Sequence, residues 1–196
     1  MVKKMNRKNL KLIGISILIL FLISLLVFIF KIYNKNVEIP TEYGISYGNP
    51  NANIKIIEYM SFQCKDCYDL HNNIGDTLKQ KIEDGEVYYT LKHVDFEKFK
   101  YDNEIFTKIN NIEDFNTIDY IMKNFPTWSK FTDLNQVNTF FKLNNLYENR
   151  INMQNKILNE VKDYKINFIP TFYINDKKFV GVFSEEEFNK IINNLK

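Results

Sequence analysis

Ile54-Lys55-Ile56-Ile57-Glu58-Tyr59-Met60-Ser61-Phe62-Gln63-Cys64-Lys65-Asp66-Cys67 runs from a strand-like segment through a short turn into a pair of cysteines. Ile54 to Met60 has the apolar, β-branched character of a buried strand and follows the turn signal Gly48-Asn49-Pro50-Asn51. Past the cysteines, Leu70, Ile74, Leu78 and Ile82 recur at four-residue spacing. That spacing lines one face of a helix, which Gly85 stops. Val87 to Val94 is β-branched and aromatic again, a second strand. The order strand, helix, strand predicts an α/β fold with the cysteines where the first strand passes into its helix.

Phe96 to Tyr164 carries no strong strand signal. Ile105, Ile109 and Ile112, then Ile118, Ile121, Met122 and Phe125, then Val137, Phe140, Phe141 and Leu146 fit helical faces, with Pro126 as punctuation. A further helix is expected from Tyr147 to about Lys162, with Ile151, Ile157, Leu158 and Val161 on its face. Thr171 to Ile174 and Lys178 to Val182 read as a hairpin around Asn175-Asp176. Ser184-Glu185-Glu186-Glu187 has the form of a capping box before a last helix.

Cys64 and Cys67 are the only cysteines in the chain. Three apart at a helix start, they share a face, close enough for their sulfurs to bond, and the first sulfur sits among unsatisfied N–H groups that stabilise a thiolate. Structural zinc needs four ligands, and His71 and His93 are the only histidines to complete such a set. Haem attachment requires a histidine directly after the second cysteine, where Tyr68 stands. A purely structural disulfide across so short a loop would stabilise little. Thiol–disulfide exchange is the chemistry that fits, with no metal or organic cofactor implied.

Ile56 to Cys67 resembles the DsbA family, in which an acidic residue lies six before the first cysteine and a serine-phenylalanine turn precedes CxxC; Glu58, Ser61 and Phe62 match. Lys92-His93-Val94-Asp95-Phe96 resembles that family's strand end, and Ile169-Pro170-Thr171-Phe172-Tyr173-Ile174-Asn175 its cis-proline segment. The resemblance implies a thioredoxin-like fold with a helical insertion at about 97–164. It implies catalytic roles for Cys64, Cys67, Pro170 and Glu58, with Glu58 buried beneath the sulfurs; strand alternation alone leaves Glu58 open. It also implies a substrate strand laid along Ile169 and Thr171. An ordinary trans Pro170 opening a strand is the alternative. The departure is Lys65-Asp66 between the cysteines, where the family commonly has proline or histidine. Lys65 is expected to lower the Cys64 pKa and Asp66 to raise it, with the helix N-terminus prevailing and the thiol falling clearly below neutrality. His93 receives no role, and His71 is expected on the solvated side of its helix.

The net charge of +2 excludes the basic excess of a nucleic-acid binder, and Lys3, Lys4, Arg7, Lys8 and Lys11 supply it from a tail that contains no acid. Leu12 to Phe30 follows without a charge. Nineteen residues at about 1.5 Å each give about 28 Å of helix, close to a bilayer core. The expected organisation is a cytoplasmic tail at 1–11, a transmembrane signal-anchor at 12–30, a tether at 31–44 and the domain at 45–196. The charge bias places that domain outside a bacterial cell membrane. A cleaved signal peptide is the alternative. Expected partners are cysteine-containing secreted or envelope proteins and, by the resemblance, a quinone-linked DsbB-like membrane protein. A reductase of cytochrome or envelope-protein maturation and a redox-inert chaperone or assembly factor are the competing functions.

Overall fold

A computed structural model describes residues 17–26, 39–96, 98–175 and 177–195. Strands β1 (Ile45–Gly48), β2 (Ile54–Met60), β3 (Val87–His93), β4 (Thr171–Ile174) and β5 (Lys177–Val180) form one sheet in the order β1-β3-β2-β4-β5. Parallel pairing of β2 with β3 sets Ile54 opposite Val87 and Met60 opposite His93, while the other neighbours are antiparallel. A parallel pair needs a crossover, and helix α1 (Lys65–Glu83) supplies it. The cysteines thus lie at the end of a central strand whose Ile56 and Tyr59 are wholly buried. β1 has no counterpart among the expected strands; its Ile45 and Tyr47 are buried in alternation, a four-residue pattern too short to stand out.

α1 buries Leu70, Ile74, Leu78 and Ile82, the predicted face. It ends before Gly85, whose φ of +72° in open space marks a backbone need, not a packing one. Gly75 in mid-helix has a different cause. A Cβ there would lie 2.8 Å from Nε2 of His71, whose ring folds across the glycine. His71 is therefore not on a solvated side: it bonds Asp119 at 3.0 Å and stacks on Phe115.

Between β3 and β4 lie α2 (Asp102–Lys108), α3 (Phe115–Lys123), α4 (Phe125–Trp128), α5 (Leu134–Phe141) and α6 (Glu148–Asp163), the expected helical insertion. Ile105, Ile118, Ile121, Met122, Trp128, Val137 and Phe141 form its core, and the Trp128 indole donates to the Ile121 carbonyl at 2.8 Å. The buried face of α6 differs from the expected one. Arg150, Gln154, Ile157 and Glu160 point inward, whereas Ile151 and the preceding Leu146 are exposed. Each inward polar group has a partner: Arg150 bonds the Phe106 and Ile109 carbonyls at the C-terminal end of α2, Gln154 bonds His93, and Glu160 receives Tyr59 and Lys92. Hydrophobicity alone could not reveal a face stabilised by such pairing.

α7 (Glu185–Asn193) closes the chain behind its capping box, with the Ser184 hydroxyl accepting the Glu187 N–H at 3.2 Å and the Glu187 carboxylate accepting the Ser184 N–H at 2.8 Å. Ser184→Ala is expected to cost about 1 kcal/mol in urea denaturation, the usual worth of a cap; an unchanged midpoint would show that the box contributes nothing.

Residues 17–26 are helical. The rest of the expected spanning segment 12–30, the tail 1–11 and residues 31–38 of the expected tether lie outside the described residues, among which no helix is long and apolar enough to cross a membrane. Ile39 and Pro40, also expected in the tether, pack on the folded domain. Ile39 is buried, and the Pro40 carbonyl accepts from Lys92 at 2.6 Å.

Candidate active site

β2 ends in the core, and the turn at Ser61, Phe62 and half-buried Gln63 leads from it to Cys64, which is itself only 7% exposed. It occupies the N-cap of α1 in an extended conformation (φ −80°, ψ 121°), where serine or aspartate would ordinarily place an oxygen. Its side chain makes no capping hydrogen bond, but its sulfur stands near the first N–H groups of the helix. The Cys64 thiol is lowered from the ordinary 9 to about 7, first by the hydrogen bond from the Cys67 thiol and then by the N–H groups of Cys67 and Asp66. Desolvation and the Asp66 carboxylate oppose that fall. The outcome is a thiol poised at neutrality, not clearly below it. Lys65 gives no help, because its ammonium pairs with Asp69 one turn on and lies over the Tyr68 ring.

Asp66→Asn is accordingly expected to lower the midpoint of the Cys64 thiolate titration, by about half a pH unit for an exposed charge at close range. Thiolate absorbance against pH checks this. A rise would mean that the carboxylate acts through the backbone and not through its charge.

Cys67 is wholly buried, and burial pushes its thiol well above the ordinary value; donation to Cys64 and the Glu58 charge push the same way. The two sulfurs are free, buried thiols of opposite character, Cys64 lowered towards the thiolate and Cys67 held protonated. The Cys64 thiol also lies 3.7 Å from the Ile169 carbonyl. The Ile169–Pro170 bond is cis. Phe168 beside it is 70% exposed, whereas Thr171 is buried in β4 with its hydroxyl turned back to the Phe168 carbonyl at 2.6 Å. Of the two residues expected to bind substrate, Ile169 is brought to the sulfur and the Thr171 side chain is not.

Glu58 lies in mid-β2, opposite Leu91 on β3 and Phe172 on β4, and is buried. Its carboxylate accepts the Tyr89 hydroxyl at 2.6 Å. Burial raises its pKa from 4.5 to about 8; the Tyr89 bond opposes the rise and the Cys64 charge adds to it. Tyr89 and Asp102, which anchors the turn before Cys64, were not legible as site residues. Among the described residues no group of histidine, cysteine, aspartate or glutamate is placed to hold a metal ion.

A sequence model described as thioredoxin matches residues 40–194. No curated protein sequence matches the chain. Similar solved structures include a conserved protein of unknown function from Enterococcus faecalis V583, with a TM-score of 0.67, 22% identity, and 79% of this chain and 92% of that one covered. α-DsbA1 of Wolbachia pipientis gives 0.63 at 22% identity over 80% of this chain and 92% of its own. Oxidised BdbD of Bacillus subtilis gives 0.61 at 15% identity over 80% and 94%. The sheet order, the helical insertion and a sequence match running from Pro40 through the cysteines to Asn194 agree: the chain belongs to the thioredoxin family, with a DsbA-like fold.

Proposed function

We propose that this protein is a thiol–disulfide oxidoreductase that forms disulfides in secreted or envelope proteins through Cys64 and Cys67. The observation that carries the reading is the pairing of an N-cap thiol near neutrality with a buried, protonated second thiol. In the oxidised enzyme a substrate thiolate attacks the Cys64 sulfur, forming a mixed disulfide and expelling Cys67 as a thiolate. A second substrate thiolate then attacks its own bonded sulfur and releases Cys64. Two electrons pass to the enzyme and the substrate leaves as a disulfide. Cys67 is a strong base when expelled and needs a proton. Glu58, protonated at pH 7 and acting electrostatically on both sulfurs, is the group suited to supply it. The same proton returns to Glu58 when the exchange runs in reverse, so Glu58 serves both directions and the reduction potential sets which one prevails.

Ile169 would offer its backbone to an extended substrate segment beside Pro170, as an added strand. Residues 12–30 would anchor the domain outside the cell membrane, the five basic residues of the tail remaining inside. A quinone-linked DsbB-like membrane protein would reoxidise the pair. The reducing direction has one observation in its favour: a thiol near 7 matches the value typical of thioredoxin. Equilibration with glutathione buffers decides between them. A potential above about −270 mV is expected, and one at or below it would make the protein a reductase.

A further inference from the structure

Behind the turn that delivers Cys64 lies a fully buried carboxylate that the thiol chemistry does not consume. Asp102 stands in the first turn of α2 with no exposed surface. Its Oδ2 accepts the Ser61 hydroxyl at 2.6 Å, and its Oδ1 accepts the Gln63 backbone N–H at 3.1 Å. Gln63 answers with its side-chain oxygen, which accepts the Tyr101 N–H at 2.8 Å. Three hydrogen bonds therefore fasten the turn between β2 and α1 to the start of the helical insertion.

A buried carboxylate is costly unless its oxygens are satisfied, so this one is held for its geometry. His93 braces it. The ring lies between Phe62 and Phe106, parallel to the latter at 4.3 Å, with Nε2 2.9 Å from Asp102 Oδ2. Its Nδ1 is 2.8 Å from the Gln154 amide nitrogen, which can only donate.

We propose that Asp102 is a positioning residue for the Cys64 thiol: through it the helical insertion holds the Ser61–Gln63 turn so that Cys64 stands at the N-cap position of α1 with its sulfur near the first N–H groups. The inference rests on Cys64 being the attacking thiol. It also assigns the insertion a part in the chemistry, since Asp102, Tyr101 and Gln154 all belong to it. The negative charge that opposes the Cys64 thiolate is that of Asp66. Neutralising Asp102 thus acts on the sulfur through the turn. A loosened turn misaligns the N–H groups and raises the thiol's pKa.

The test uses the full chain with Asp102→Asn, which keeps the shape of the side chain, and Ser61→Ala, which removes one bond only. Thiolate absorbance against pH should place the wild-type midpoint near 7 and the Asp102→Asn midpoint about one pH unit higher. The thiolate fraction at pH 7 then falls from about a half to about a tenth, and exchange with a peptide disulfide slows severalfold at pH 7 while converging with wild type by about pH 9.5. Ser61→Ala should move the same way by less, and it carries the test alone if Asp102→Asn fails to fold. Unchanged midpoints in a folded variant, or a loss of rate equal at every pH, would overturn the positioning role. A wild-type protein that exchanges no disulfide at all would instead overturn the proposed function.

Discussion

Cys67→Ser is expected to trap the protein on its substrate, and Cys64→Ser to abolish exchange. The asymmetry follows from where α1 places the two sulfurs. Cys64 stands at the N-cap position with its thiol lowered to about 7, first by the Cys67 thiol, so at pH 7 about half of it is thiolate. Cys67, one turn inside with no exposed surface, keeps its proton and can meet only a sulfur already bonded to Cys64. Without Cys67, a mixed disulfide on Cys64 has no internal resolving thiol. Incubating each variant with an oxidised peptide and resolving the products under non-reducing conditions should show a one-to-one adduct with Cys67→Ser, released by dithiothreitol, and none with Cys64→Ser. The Cys67 thiol is also the main cause of the low Cys64 pKa. Cys67→Ala should therefore raise the Cys64 titration midpoint relative to Cys67→Ser, whose hydroxyl can still donate. Adducts on Cys64→Ser in place of Cys67→Ser would reverse the assigned roles.

The skeleton of this site was legible because it depends on periodicity. Ile54 to Met60, the face from Leu70 to Ile82, and the hairpin after Pro170 announce strand, helix and hairpin through spacing alone, and all three form. The features that stayed hidden depend on partners distant in sequence. His71 is polar and one turn past Cys67, which suggests solvent, yet Asp119 on α3 and the space above Gly75 draw it inward. Arg150, Gln154 and Glu160 occupy the buried face of α6 because carbonyls, an imidazole, a phenol and an ammonium wait there. Nothing local signals such partners. Asp102 is the sharpest case: its contacts, Ser61 and Gln63, lie some forty residues earlier, in a turn whose length fits several geometries.

Glu58 shows the same limit from the other side, since alternation along β2 could not decide its burial: central strands are covered on both faces. Its burial makes the last prediction, that Glu58→Gln stabilises the protein at alkaline pH. The folded carboxyl titrates at about 8 and the unfolded one near 4.5. Between those values the folded state holds a proton that the unfolded state has lost, so folding takes up a proton and rising pH opposes it. Stability is intact below pH 4.5, declines as pH climbs towards 8, and is level above. Three and a half pH units at about 1.4 kcal/mol each make the loss about 5 kcal/mol at most. Glutamine mimics the protonated form and still accepts the Tyr89 hydroxyl, so the two proteins should unfold alike in urea at pH 4 and diverge steadily to pH 8.5. Parallel stability curves would show that Glu58 is ionised in the folded protein. The same substitution removes the proton that Cys67 needs on leaving, so mixed-disulfide formation by oxidised enzyme should slow at pH 7. Instability and proton supply have one cause, a carboxyl kept neutral by burial, and an enzyme stabilised yet slowed by Glu58→Gln would show both.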